Sequence, residues 1–176
     1  CFDTGFYRHL PDVAATYAIP RHLNDRYPVR RYGFHGLAHQ AMLKGLFAHD
    51  TESSRPARVI SLQLGGGCSV TASRDGVPVD TSMGFTPLEG LMMRTRCGDI
   101  DAGLVFYLKR KLDVSTDALE SMLNHDSGLR GVSGETGDMK ALLESGSDSA
   151  QLAVEVFCYR ACKYIAAYTA ALSGVD

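Results

Sequence analysis

Residues 80–101, DTSMGFTPLEGLMMRTRCGDID, set the strongest limit on what this chain can fold into. Gly84, Pro87, Gly90 and Gly98 interrupt the run, so neither one helix nor one strand can span it. Arg94 and Arg96 sit between acidic groups at its two ends. A long ordered loop of this kind is uncommon unless it is functional. The alternative is a solvated surface loop with incidental charges, because loops carry most surface charge as well as most chemistry.

A second run, Val59-Ile60-Ser61-Leu62-Gln63-Leu64-Gly65-Gly66-Gly67-Cys68-Ser69-Val70, reads as an apolar strand, three glycines and a second strand. Arg74-Asp75-Gly76 supplies a hairpin turn before Val77-Pro78-Val79. Consecutive glycines let backbone N–H groups converge on one concavity, which suits phosphate oxygens. No Gly-Lys-Ser/Thr follows, and the glycines open no helix, so neither a Walker loop nor a dinucleotide fingerprint is present. A tight bend between strands explains the triplet equally well.

A third run, Arg30-Arg31-Tyr32-Gly33-Phe34-His35-Gly36-Leu37-Ala38-His39, delivers His35 to a helix entrance. A lone His is usually a packed or surface residue, but one flanked by glycines is unusually accessible to a ligand. Leu37, Ala41, Met42 and Leu46 read as the apolar stripe of the helix that follows.

Periodicity predicts helices over 36–48, 101–111, 138–145 and 149–172, with another that starts at Ser115 or Thr116 and buries Ala118, Leu119, Met122 and Leu123. Strands are expected over 58–64, 68–74 and 77–80. Helix 149–172 is apolar all round and so is expected to be largely buried. Cys158 and Cys162, four apart, are expected to share its buried face as free thiols, since no CxxC metal or redox motif occurs. At 176 residues, 45% hydrophobic, with a net charge of −2, the chain has material for one core. The near-neutral balance disfavours nucleic acid or an anionic membrane as the main partner, and no apolar run reaches membrane-spanning length.

Six motifs taken together, Phe2-Asp3-Thr4-Gly5-Phe6, RRYGFHG, LGGG, DTSMGFTPLEG, TRCGDID and SGLRGVSGETGD at 127–138, resemble the acetate kinase family in order and spacing. The resemblance covers essentially the whole chain. It implies an α/β (α+β mixed) ribonuclease-H-like domain of the actin/hexokinase type, in which two domains close on a nucleotide. Residues 1–12 then correspond to the end of the first domain, and 13–176 to most of the second. The family's metal-linked Asn and Glu and its substrate Arg match nothing here, so the chain is expected to be an internal piece of a longer enzyme, inactive alone.

The resemblance implies transfer of phosphate between ATP and acetate, with Mg2+ or Mn2+, in a cytoplasmic homodimer that binds neither nucleic acid nor membrane. Propionate or another short acyl acceptor, and a non-catalytic nucleotide-binding homologue, are the alternatives. Arg96 matches the family's catalytic Arg, a planar charged fork suited to a phosphoryl group. His35 matches its transition-state-stabilising His, and Asp3 its active-site Asp. A small carboxylic acid with pKa near ~4.3 is already ionised at neutral pH and needs no base. Asp3 is therefore expected to organise magnesium through water or to orient its neighbours, with no direct metal ligand in this chain. Phe34 and Pro87 match the acyl pocket, Gln63, Leu64, Gly65, Gly66 and Gly67 the phosphate loop, and Asp138, Met139 and Lys140 the nucleoside segment. The chain departs from the family at Gln63 (usually His), Gly66 (Asn), Arg94 (Gly), Cys97 (Ser) and Lys140 (Arg).

Overall fold

The computed structural model describes residues 2–49 and 57–176. A 3-10 helix, Asp3–Tyr7, is followed by α1 (Asp12–Ala15), α2 (Arg21–Arg26) and α3 (Gly36–His49). Strands β1 (Arg58–Leu64), β2 (Cys68–Arg74) and β3 (Val77–Thr81) come next, and then α4 (Ala102–Leu112), α5 (Thr116–His125), α6 (Gly128–Ser133), α7 (Met139–Ser145) and α8 (Asp148–Leu172). Helices α4, α5 and α7 start where side chains cap them. Asp101 accepts the Gly103 N–H, Ser115 the Ala118 N–H and Asp138 the Ala141 N–H, each relieving an end donor that the helix itself cannot satisfy.

The described residues form two compact units. One comprises those up to Leu64 with Ser69–Pro87 and Cys162–Asp176; the other comprises Gly65–Cys68 and Leu88–Ala161. In the first, the strands lie in the order β1-β2-β3, and β2 pairs antiparallel with β3 in the register Thr71↔Thr81 and Ala72↔Asp80, with a bulge after Ala72. Asp75 (φ +53°) and Gly76 (φ +78°) both turn left-handed, which matches the twist of a two-residue hairpin. The buried side of this sheet is unusually polar. Ser69, Thr71, Ser73 and Thr81 have no exposed surface, and each hydroxyl is hydrogen-bonded, as burial demands. The second unit buries Met92, Leu129, Leu142, Ala150 and Ala153, with Met139, Val154, Val156 and Phe157 packed against them.

Three expectations fail on burial. In α5 only Leu119 is buried; Ala118 is exposed, and Met122 and Leu123 are half-buried. In α3 the inward residues are Gly36, His39 and Leu43, whereas Leu37, Ala41, Met42 and Leu46 face out. A hydrophobic count picks the wrong stripe because the buried position of the middle turn is a histidine paired with serine hydroxyls. In α8 only the line through Ala150, Ala153, Tyr168 and Leu172 is buried; Leu152, Tyr159 and Ile165 are exposed, and so are Cys158 and Cys162. The helix is not buried all round, and its two thiols do not share a buried face. Cys68, Cys97, Cys158 and Cys162 are free thiols; Cys1 lies outside the described residues.

Residues 82–101 contain neither helix nor strand, yet they are not a solvated loop. Ser82, Met83, Leu91, Met92 and Met93 are buried. Loop polar groups are satisfied internally: Asp99 accepts the Gly90 N–H on its carboxylate and donates its own N–H to the Gly90 carbonyl.

Candidate functional site

In the first unit the 3-10 helix meets the entrance of α3. Asp3 Oδ2 accepts the His35 backbone N–H at 2.5 Å, and Oδ1 accepts that of Leu37 at 3.1 Å. One carboxylate thus serves two donors at a helix N-terminus, where N–H groups lack partners and negative charge is favoured. His35 has φ +57°, a left-handed conformation costing a side-chain-bearing residue roughly 1–2 kcal/mol. The Asp3 clasp holds it there. Only glycine allows the approach, because a Cβ on Gly36 would lie 2.1 Å from the Asp3 carbonyl oxygen. Tyr7, wholly buried, donates to the Phe34 carbonyl at 3.0 Å and pairs with Thr71 at 2.9 Å. Burial pushes its hydroxyl up to about 12, so it stays a donor.

His35 Nδ1 lies 2.9 Å from Ser69 Oγ. The same hydroxyl is 2.8 Å from His39 Nε2, and His39 Nδ1 is 2.7 Å from Ser61 Oγ. Burial pushes His39 down to about 4, its neighbour His35 adding to the effect and Asp3 opposing it, so the ring is neutral near pH 7. The 30–36 and 80–87 motifs are joined in this unit as well. Tyr32 and Gly33 donate to the Gly84 carbonyl, and Arg31 donates to the carbonyls of Thr81 and Ser82 with Asp80 4.0 Å away. Phe34 and Pro87 are half-buried here. Gln63 sits near the end of β1, its Oε1 buried and without a hydrogen-bond partner among the described residues.

The second unit gathers the remaining candidates. The Gly66 carbonyl accepts the Arg94 N–H at 3.2 Å, so the glycine turn is tied to the arginine segment. The Cys68 thiol, which ends that turn, is pushed up by burial; the Gly65 carbonyl and the charge of Arg96 oppose this. Arg96, half-buried, directs Nη1 at Met93 Sδ at 3.6 Å. Its backbone is gripped from the SGLRG segment, where Ser127, Leu129 and Arg130 donate to the carbonyls of Thr95, Met93 and Arg94. Gly128 makes this grip possible: its φ is +63°, and a Cβ there would lie 2.2 Å from the Met93 carbonyl oxygen. Gly137 lies against Arg94, so Asp138, Met139 and Lys140 begin beside the same turn. Asp138 caps α7, Met139 packs on the core and Lys140 is exposed.

The predicted residues therefore fall into two groups. Asp3, Phe34 and His35 are joined in one unit, which also carries Gln63, Leu64 and Pro87; Gly65–Gly67, Arg96 and Asp138–Lys140 belong to the other. Among the described residues no group of three or more His, Cys, Asp and Glu side chains converges as a metal cage would require. Both Asp3 oxygens already accept backbone donors.

The acetokinase family model matches residues 1–176. The chain belongs to that family. It is 47% identical to the acetate kinase of Syntrophobacter fumaroxidans and 45% identical to that of Bacteroides thetaiotaomicron, in both cases over 99% of its own length. It spans only 43% and 45% of those two relatives. Porphyromonas gingivalis acetate kinase superposes with a TM-score of 0.91 at 36% identity, covering 99% of this chain and 45% of the other. A propionate kinase from Francisella tularensis superposes at 0.86 and 39%, covering 96% and 44%. The acetokinase chain accordingly has the mixed α/β fold of the actin/hexokinase type.

Sequence reading missed Tyr7, His39, Ser61 and Ser69. Tyr7 directly follows the first quoted motif, yet nothing local shows that its hydroxyl reaches residue 34. His39 does carry a signal, lying four residues after His35 on one helical face, but its serine partners come from two different strands.

Proposed function

We propose that the protein carrying this chain is a phosphotransferase that moves the γ-phosphate of ATP to the carboxylate of acetate, reversibly, giving acetyl phosphate and ADP. Membership of the acetokinase family across all 176 residues carries this reading. The acceptor is an ionised carboxylate, so the chemistry needs charge stabilisation and in-line positioning rather than a base. Arg96 clamps the equatorial phosphoryl oxygens, and His35 donates a hydrogen bond to the transferring group. Asp3 acts through the backbone of His35 and Leu37, which its geometry supports. Phe34 and Pro87 enclose the acyl methyl. Gln63–Gly67 meet the nucleotide phosphates, and Asp138–Lys140 the nucleoside.

Mg2+ or Mn2+ accompanies the nucleotide and neutralises phosphate charge when bound; no step assigned to these residues runs through it. Residues 13–176 read as most of the second domain of a two-domain kinase, following 1–12 from the first, and the assembly as a cytoplasmic homodimer. Among the described residues no helix is long and apolar enough to cross a membrane. One observation brings in a second acceptor: a propionate kinase of Francisella tularensis superposes at 39% identity, below the 45% and 47% of the Bacteroides thetaiotaomicron and Syntrophobacter fumaroxidans acetate kinases. A single methylene changes pocket discrimination by only about 1–3 kcal/mol. Incubation with ATP and acetate, propionate or butyrate, trapping acyl phosphate with hydroxylamine, tests both readings. Acetyl hydroxamate at the highest kcat/KM supports the first and propionyl hydroxamate the second. No hydroxamate from any acid removes both.

A further inference from the structure

We infer that His39 is a positioning residue: with Ser61 and Ser69 it forms a buried hydroxyl–imidazole relay that sets which nitrogen of His35 carries the proton. The inference rests on the proposed reading only in taking His35 to face a phosphoryl group. The four groups come from three elements. His35 stands at the entrance of α3 and His39 one turn into it, Ser61 lies on β1 and Ser69 on β2. The contacts run Ser61 Oγ–His39 Nδ1 at 2.7 Å, His39 Nε2–Ser69 Oγ at 2.8 Å and Ser69 Oγ–His35 Nδ1 at 2.9 Å. His39 and Ser69 have no exposed surface, and Ser61 has 7%.

Proton counting sets the direction of the chain. Ser69 has one hydroxyl proton and touches two imidazoles, so it donates to one and accepts from the other. With both rings neutral, only two arrangements satisfy these three contacts. In the first, Ser61 donates to His39 Nδ1, His39 Nε2–H donates to Ser69, and Ser69 donates to His35 Nδ1. In the second, every arrow is reversed. Ser61 then accepts from His39 and must place its own proton elsewhere, yet its nearly buried hydroxyl makes no second hydrogen bond to a described residue. A buried donor left unsatisfied costs about 1–3 kcal/mol, enough to choose the first arrangement. Burial keeps His39 neutral, which this bookkeeping requires.

The consequence is chemical. With Nδ1 accepting from Ser69, the proton of neutral His35 resides on Nε2. Phosphoryl oxygens only accept hydrogen bonds, so an Nε2–H tautomer is a donor already made, without the need to charge the ring. Asp3 fixes the His35 backbone and the relay fixes its imidazole, two independent restraints on one side chain.

Long-range proton–nitrogen NMR of the protein labelled with 15N-histidine, at a pH where His35 is neutral, reads the tautomer directly. The Nε2–H form is expected in the wild type, and a mixture of tautomers in His39→Leu and Ser69→Ala. His39→Gln, which can both donate and accept, is expected to restore the single form. Where His35 meets substrate, kcat should fall on the order of tenfold in the Leu and Ala variants with KM nearly unchanged, the scale on which outer hydrogen-bond partners orient metal-bound histidines. An Nδ1–H tautomer in the wild type overturns the inference even if no variant folds. So does an unshifted tautomer in a folded Ser69→Ala, or a shifted one with kcat intact. A shifted tautomer in a protein that makes no acyl phosphate upholds the relay and removes the acyl-kinase reading.

Discussion

The carboxylate of Asp3 holds the backbone N–H of His35 at 2.5 Å, and the residue it holds is in the left-handed region at φ +57°. Asp3→Ala strands two N–H donors at the entrance of α3, at an expected cost of about 1–3 kcal/mol. Urea unfolding should register this, together with a loss of kcat. A backbone clasp also implies that Asp3→Asn leaves the shape of the pH–rate profile unchanged. Disappearance of one limb of that profile in Asp3→Asn would instead make Asp3 a proton-transfer group.

Arg96→Ala should lower kcat by roughly 10²–10⁴ while moving KM for either substrate far less, as loss of a charge clamp used in the transition state does. Steady-state kinetics in the direction of acetyl phosphate synthesis measures it. A kcat within a few-fold of wild type would leave Arg96 a structural residue of its turn.

Gly128→Ala and Gly134→Ala separate clash from backbone strain. Both positions have positive φ, +63° and +68°, so both pay roughly 1–2 kcal/mol for the added Cβ. Only Gly128 faces an obstruction, the Met93 carbonyl at 2.2 Å, with the Arg96 carbonyl at 2.8 Å; nothing lies within 4 Å of a Cβ at Gly134. Gly128→Ala should therefore be clearly the more destabilising in thermal unfolding and should also depress kcat by shifting the Arg96 turn. Equal effects of the two substitutions would mean that the turn does not depend on this contact.

Gln63 leaves a buried carbonyl oxygen unpartnered among the described residues. Gln63→His offers a donor in place of an amide whose buried atom only accepts, so KM for ATP should fall or kcat should rise. Titration calorimetry with a non-hydrolysable ATP analogue reports the affinity. Unchanged or weaker binding would exclude Gln63 from phosphate contact.

His39 makes stability fall in acid. Burial lowers its pKa from 6.5 to about 4 in the folded chain, with His35 and Asp3 the titratable groups that act on it. Between about pH 6.5 and pH 4 the unfolded chain binds a proton that the folded chain refuses. The stabilisation is thus complete above the unfolded value and lost as pH falls toward 4, by on the order of 3 kcal/mol. Urea midpoints measured between pH 7.5 and 4.5 should show the decline, reduced in His39→Gln. An equally steep decline in that variant would place the acid sensitivity elsewhere.

Much of this molecule is written locally. The hairpin at Asp75-Gly76, the Ser115 cap and the strands either side of Gly65–Gly67 depend on neighbours a few residues apart, so periodicity and turn chemistry suffice to find them. The six motifs likewise carry the family in their order along the chain. The short helices at 12–15, 21–26 and 128–133 lack the length for a periodic signal and were not predicted.

Tertiary structure decided what the motif residues do for one another. Asp3 is expected from sequence to organise magnesium through water or to orient its neighbours, and only folding shows its oxygens accepting the N–H groups of His35 and Leu37. SGLRG enters the sequence reading only as part of a family motif, and only folding shows a Cβ at Gly128 blocked by the carbonyl of Met93. The apolar stripe of α3 points outward because a histidine takes the inner position, where two serine hydroxyls from β1 and β2 compensate its burial. Hydrophobic patterning scores each residue by its own transfer free energy. Whether a polar side chain can be buried depends instead on partners distant in sequence, and these exist only once the strands and helix have packed.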